Sequence, residues 1–148
     1  MLVKLVAKDI SKWWSGISEG ISRSLPPFTK YTKDRMSSIL KCLMEDTLHC
    51  WVLTQYDSVK NTTIMYAIVT TEFTVDTVTI TKNLTIFSLY ALQPVPEQMW
   101  KDGFDTLAKF AKANHCNQIL AFSDIPQVIN IVNKLGGDTS TTLIKMEI

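Results

Sequence analysis

The apolar positions change their period along the chain, and the changes mark out its elements. Leu2, Val3, Leu5 and Val6 flank Lys4 as a short strand. Ile10, Trp13, Trp14, Ile17, Ile21 and Leu25 then recur at helical spacing, with Asp9 as the expected cap and Pro26-Pro27 as the stop. A second helix is expected from Thr32, with Met36, Ile39, Leu40, Leu43 and Met44 on one face. From Cys50 the pattern becomes strand-like. Cys50 to Tyr56 is rich in aromatic and β-branched residues and stops at the polar turn Asp57 to Asn61. Thr63 to Thr74 reads as the next strand, and a threonine-rich link ends in a turn at Lys82-Asn83. Leu84 to Leu92 is nearly all apolar, as expected of a strand buried on both faces.

The stretch from Ser88 to Gly103 passes from that strand through Gln93-Pro94-Val95-Pro96-Glu97 into an amphipathic helix. Trp100, Phe104, Leu107, Ala108 and Ala111 form its apolar stripe. Glu97 with Lys101, and Asp105 with Lys109, are spaced as favourable i,i+4 pairs. Asn117 to Phe122 reads as a buried strand. Asp124 is placed to cap a last helix, with Pro126 in its first turn, Val128, Ile129, Ile131, Val132 and Leu135 as packing residues, and Gly136 closing it. Thr141 to Ile148 alternates as a final strand. The order is β-α-α-β-β-β-α-β-α-β. It predicts one α+β domain over residues 1–148, with a mixed, mainly antiparallel central sheet that splits near its middle and helices on both faces.

Composition narrows the function classes. With 46% hydrophobic and 20% charged residues the chain is that of a globular domain. A net charge of +1 provides no long-range pull on polyanions, so no nucleic-acid partner is expected. Arg23 and Arg35 are the only arginines, few for bidentate phosphate binding. No apolar run approaches the roughly 20 residues of a membrane span, and Met1 to Asp9 lacks a cleavage pattern. Cys42, Cys50 and Cys116 include no Cys-x-x-Cys and suit a reducing compartment. The expectation is a cytoplasmic, unsecreted protein without a membrane partner, in which the triplets at Asn61 and Asn83 are chance matches to a glycosylation motif.

Element order over nearly the whole chain resembles the GNAT family, the Gcn5-related N-acetyltransferases. Val128-Ile129-Asn130-Ile131-Val132-Asn133-Lys134-Leu135-Gly136-Gly137 is similar to the family's penultimate-helix pattern, which ends in Lys-Leu-Gly-Phe. The alanine-rich run Leu107 to Asn114 before His115-Cys116 resembles the family's helix entering its fifth strand. The threonine- and asparagine-rich style resembles small bacteriophage GNAT-like proteins, which implies a phage-encoded chain in the host cytoplasm or the virion. The resemblance implies an acetyl-coenzyme A site at the turn before the amphipathic helix, where the family places Gln/Arg-x-x-Gly-x-Gly/Ala. Here Gln93, Pro94, Pro96 and Glu97 depart from that pattern. The prolines lack N–H donors and Glu97 adds a negative charge facing a diphosphate. The family's general acid, a tyrosine in the last helix, falls on Val132; Tyr90 is the weak substitute candidate. The expected function is a non-catalytic interaction or assembly module of a phage particle, without a cofactor. The alternative is an active N-acetyltransferase that takes acetyl-coenzyme A differently, with the backbone of Leu89 to Leu92 pairing with the pantetheine arm.

The remaining candidates have plainer explanations. Neighbouring strand residues face opposite ways, so His49-Cys50 and His115-Cys116 do not make a metal site. Asp124 and Glu72 are expected as a helix cap and an edge-solvating group, and no nucleophile elbow occurs. Lys30, Lys33, Arg35 and Lys41, with Asp34 and Glu45 nearby, form a solvated face. Trp13 and Trp14 diverge by about 100° on a helix, so one packs and the other stands at the rim. Core packing is the first reading of the pair; the alternative is that they anchor a protein partner or self-association.

Overall fold

The computed structural model describes residues Met1–Ile148. Its elements run β1 (Leu2–Lys4), α1 (Ala7–Arg23), α2 (Lys33–Met44), β2 (Leu48–Asp57), β3 (Thr62–Asp76), β4 (Thr81–Ala91), α3 (Glu97–Ala113), β5 (Gln118–Ala121) and α4 (Pro126–Lys134). The strands form one sheet in sequence order; β1 to β4 are antiparallel, and β5 lies parallel to β4 across the α3 crossover. The α+β class, the helices on both faces and the order through α4 are as the sequence predicts.

Strand alternation assigns each face its helices. Cys50, Val52 and Ile68 point to one side, where Ile17 and Ile21 of α1 and Ile39 and Leu43 of α2 cover them. Trp51, Leu53, Val69 and Leu84 point to the other, under Leu107 and Ala111 of α3. Ile21 and Leu84 are fully buried, and burial of such a side chain contributes about 1.5–3 kcal/mol. Gly20 lets α1 approach closely: a Cβ there would lie 3.2 Å from both Ile68 Cδ1 and Tyr90 Cδ1.

Several local expectations are corrected. Asp9 lies in the first turn of α1, whose N-cap is Val6 without a side-chain bond, whereas Thr32 caps α2 by accepting from Arg35 N–H at 3.1 Å. Lys82 and Asn83 belong to β4. The turn falls earlier, at 77–80, where Asp76 accepts the N–H groups of Val78 and Thr79 and outcompetes the strand ladder. Glu72 sits on β3, an interior strand, and burial raises its carboxyl pKa. In α3 the buried stripe is Gly103, Leu107 and Ala111, with Phe104 38% exposed at the cleft described below. Neither expected i,i+4 pair of α3 forms; Gln98 donates to Asp102 and Glu97 pairs elsewhere. β5 is a four-residue edge strand without a buried residue. Thr141 to Ile148 pairs with no strand, although its alternation suits one.

Candidate functional site

The sheet opens along β4. At its Thr81 end β4 pairs with β5 as far as Ile86 opposite Ala121. There the register against β3 shifts: Thr71 faces Ile86 but Thr70 faces Ser88, so Phe87 is the extra, bulged residue. Beyond it β4 continues to Ala91 with β3 on one side and no strand on the other. Leu92 N–H points to Tyr66 O of β3 at 2.8 Å. By the alternation of an antiparallel ladder, the N–H and C=O groups of Leu89 and Ala91 therefore point into the gap.

A cleft of about 340 Å³ fills this gap. Its walls are mostly hydrophobic: Leu89 of β4, Met99, Trp100 and Leu107 of α3, and Val128 and Val132 of α4 are among them. It reaches through the sheet to Ser24, Leu25 and Pro27 after α1. Ser88, its buried polar residue, is satisfied by Thr70 across the strand pair at 2.5 Å. Phe28 and Phe122 meet edge to face, centroids 5.3 Å apart, and tie the α1–α2 loop to the β5–α4 loop beside the opening.

α4 forms the wall opposite β4. Asp124 lines the cleft and does not cap this helix; the N-cap is Ile125, whose own N–H donates to Ser123 Oγ at 3.1 Å. Gly136 closes α4 with φ +84° as its position predicts. Gly137 N–H returns to Val132 O at 2.9 Å, and a Cβ at Gly137 would lie 2.4 Å from Val132 Cγ1. The glycine standing where the family pattern has phenylalanine thus lets the chain fold back onto Val132.

At the start of α3 the donors are few. Pro96 is the N-cap and has no side-chain bond; Gln93 turns away, donating from Nε2 to Met65 O at 2.9 Å. In the first turn the N–H groups of Glu97 and Gln98 have no acceptor, since Met99 and Trp100 donate to Pro96 O, and in the turn before it those of Gln93 and Val95 have none. The Glu97 carboxylate occupies this first turn, 3.2 Å from Lys134 Nζ of α4. Lys134, and not the nearby Lys101, is the cation that reaches Glu97; its approach depends on α4 lying across the end of α3, which no local pattern encodes. These residues do not fit a diphosphate. Lys134 is already paired, the added carboxylate repels, and two prolines replace donors.

The other candidate residues lie apart from the cleft. Tyr90 projects to the α1 side, against Gly20, with Arg23 Nη1 donating to its hydroxyl at 3.4 Å. Trp13 is 53% exposed beneath Lys12 Nζ, whereas Trp14 packs against the α1–α2 core, as the helical divergence predicts. His49 faces Phe73 and Phe110 under α3 while Cys50 faces the α1–α2 core, so the two cannot share an ion. Burial together with the Lys4 charge lowers the His49 pKa.

No protein-family model and no curated protein matches the sequence. Solved structures do match the fold. A probable acetyltransferase aligns at TM-score 0.70 with 7% identity, over 100% of this chain and 97% of its own. Ribosomal-protein-alanine N-acetyltransferase from Brucella melitensis biovar Abortus 2308 aligns at 0.64 with 10% identity, over 100% and 99%. Glucosamine-6-phosphate N-acetyltransferase from Arabidopsis thaliana aligns at 0.64 with 11% identity, over 99% and 97%. At such identities the likeness is one of fold, and over its whole length this chain has the GNAT acetyltransferase fold.

Proposed function

We propose that the protein is a non-catalytic interaction or assembly module built on the GNAT fold, with a cleft that takes an apolar protein segment in place of acetyl-coenzyme A. The observation that carries this reading is the pairing of an open apolar cleft with a start of α3 unsuited to a diphosphate. Val132 supports it, because it lines the cleft at the position where the resemblance calls for a proton-donating tyrosine. Leu89 and Ala91 support it too, since free backbone groups on a strand edge beside apolar pockets suit an added peptide strand. The resemblance to small phage proteins favours a role in a phage particle or its assembly, which mass spectrometry of purified virions tests.

The discriminating experiment follows melting temperature as acetyl-coenzyme A is added. No shift at millimolar ligand is expected; a saturable rise overturns the reading, because a ligand bound to the native state must stabilise it.

A second reading is an N-acetyltransferase whose donor is seated differently. It is favoured by the unpartnered N–H groups of Glu97 and Gln98 and by Asp124, a carboxylate at the cleft able to take a proton from an amine. It predicts coenzyme A release with an amine acceptor and loss of that release in Asp124→Asn.

A further inference from the structure

We propose that the strand face formed by Glu72, Thr74, Asn83 and Thr85 binds a hard cation of calcium's type. The face lies on the Thr81 half of β4, and none of these residues lines the cleft.

Register and strand alternation gather the side chains. Glu72 stands opposite Thr85 and Thr74 opposite Asn83, so they mark the corners of one cross-strand rectangle on β3 and β4. All point to the α1–α2 side, as does Leu48 opposite Glu72 on β2, whereas Phe73 and Leu84 face α3. One diagonal is closed by the hydroxyls of Thr74 and Thr85, 2.7 Å apart. The other runs from the Glu72 carboxylate to the Asn83 amide. Diagonal neighbours of this kind stand roughly 7–8 Å apart at the backbone, within reach of long side chains.

This face holds oxygen without a positive partner. Asn83 is 7% exposed, and its Oδ1 is enclosed with no hydrogen-bond partner. Glu72 forms no ion pair, and burial, with no charge to offset it, raises its carboxyl pKa. The neighbouring cationic residues point away. Lys82 Nζ donates to Asn114 O at 2.9 Å and sits over the Phe73 ring, and His49 turns to Thr71 on that same side. Of the two threonine hydroxyl hydrogens, one is used between the threonines themselves. A water satisfies these oxygens singly and leaves the carboxylate charge unopposed; a cation does both. Glu72 is itself only half-buried, so an ion and its remaining waters have access from solvent.

The donor set selects the ion. It offers a carboxylate, an amide carbonyl and hydroxyls, with no thiolate or imidazole for softer metals. Calcium takes such oxygens in flexible geometry at about 2.3–2.6 Å, whereas magnesium demands near-octahedral ligands and holds its water. One carboxylate among neutral oxygens sets a weak affinity, a Kd of about 10⁻⁴–10⁻³ M.

Calcium chloride added to the full chain, against magnesium chloride and sodium chloride at matched ionic strength, tests the proposal by melting temperature and titration calorimetry. The expected result is a saturable rise in melting temperature with one calcium ion bound per chain. Glu72→Gln keeps the side chain's shape and is expected to weaken binding about tenfold or more. Asn83→Asp adds a second carboxylate and is expected to tighten it by a similar factor, which a merely structural asparagine would not do. No saturable response by about 10 mM calcium, ten times the weakest Kd expected, overturns the proposal. So does an equal response in Glu72→Gln, or one that magnesium or sodium reproduces. If Asn83→Asp does not fold, Glu72→Gln alone decides. Neither the cleft nor acetyl-coenzyme A enters the experiment, so its outcome is separate from that of the cleft's reading.

Discussion

Lys134 Nζ on α4 lies 3.2 Å from the Glu97 carboxylate on the first turn of α3, so two helix ends meet beside the cleft through one exposed ion pair. Exposed pairs contribute only ~0–1 kcal/mol. Glu97→Gln is therefore expected to change unfolding free energy by less than about 1 kcal/mol in urea titrations. Its larger effect is on anions. With the carboxylate gone, Lys134 and the N–H groups of Glu97 and Gln98 become available together. Coenzyme A is expected to raise the melting temperature of this variant and not that of the parent. Equal responses in the two proteins contradict the role given to Glu97.

His49 makes stability pH-dependent. It lies 4% exposed between Phe73 and Phe110, with Nδ1 3.2 Å from Thr71 Oγ1, which also accepts from Trp51 Nε1 at 2.9 Å. The Thr71 hydroxyl has a hydrogen to donate to a neutral Nδ1 and a second lone pair to accept from a protonated one, so this contact alone does not choose the charge state. Burial first, then Lys4, holds the folded pKa below the usual 6.5, with Asp46 and a hydrogen bond to the Thr71 backbone opposing. The unfolded chain then binds more protons below pH 6.5, so stability rises with pH in that window. Denaturant midpoints are expected to fall as pH drops below about 6.5 towards the folded pKa, and to do so less in His49→Gln.

The three thiols should separate by reactivity. Burial pushes the Cys50 pKa up to about 12, and its side chain is fully enclosed. Cys42 and Cys116 are only partly covered. Because the thiolate is the nucleophile, alkylation at mildly alkaline pH followed by mass spectrometry is expected to label Cys42 and Cys116 first. Cys50 is expected to react only once denaturant opens the core.

What was legible in the sequence follows the range of the interactions involved. Helices α1 to α4 and the four main strands are set by periodicity and local breakers, and Thr32 and Gly136 work where their positions place them. Most of the differences arise where distant groups decide, and the cap of α4 is a local exception. Asp124 reads as a cap from its neighbours, yet Ser123 takes the Ile125 N–H and leaves the carboxylate at the cleft. Glu72 reads as an edge group, yet β3 is flanked on both sides. Thr141 to Ile148 has the alternation of a strand, but a strand needs an edge to pair with, and alternation says nothing about which edge. The site was half legible. Pro94, Pro96 and Glu97 announced the altered start of α3, while the Phe87 bulge that opens β4 and the arrival of Lys134 both depend on tertiary register.

Trp13 and Trp14 supply a last contrast, because adjacent residues of one type occupy different surroundings on α1. Trp13 is 53% exposed, its ring met by Lys12 Nζ at 4.9 Å. Trp14 packs against the cluster built by Ile10, Ile17 and Leu43. Truncating a ring in contact with a core removes apolar burial and leaves a gap that neighbours fill only in part. Trp14→Ala is therefore expected to cost about 2–4 kcal/mol, somewhat less than a fully buried tryptophan. Trp13→Ala lies within the small range of surface changes, about 0.5 kcal/mol either way. If Trp13 anchors a partner, its loss leaves the urea midpoint in place and lowers affinity in a pull-down with that partner, whereas Trp14→Ala moves the midpoint. Equal losses of stability in the two variants would mean that the exposed ring is part of the core after all.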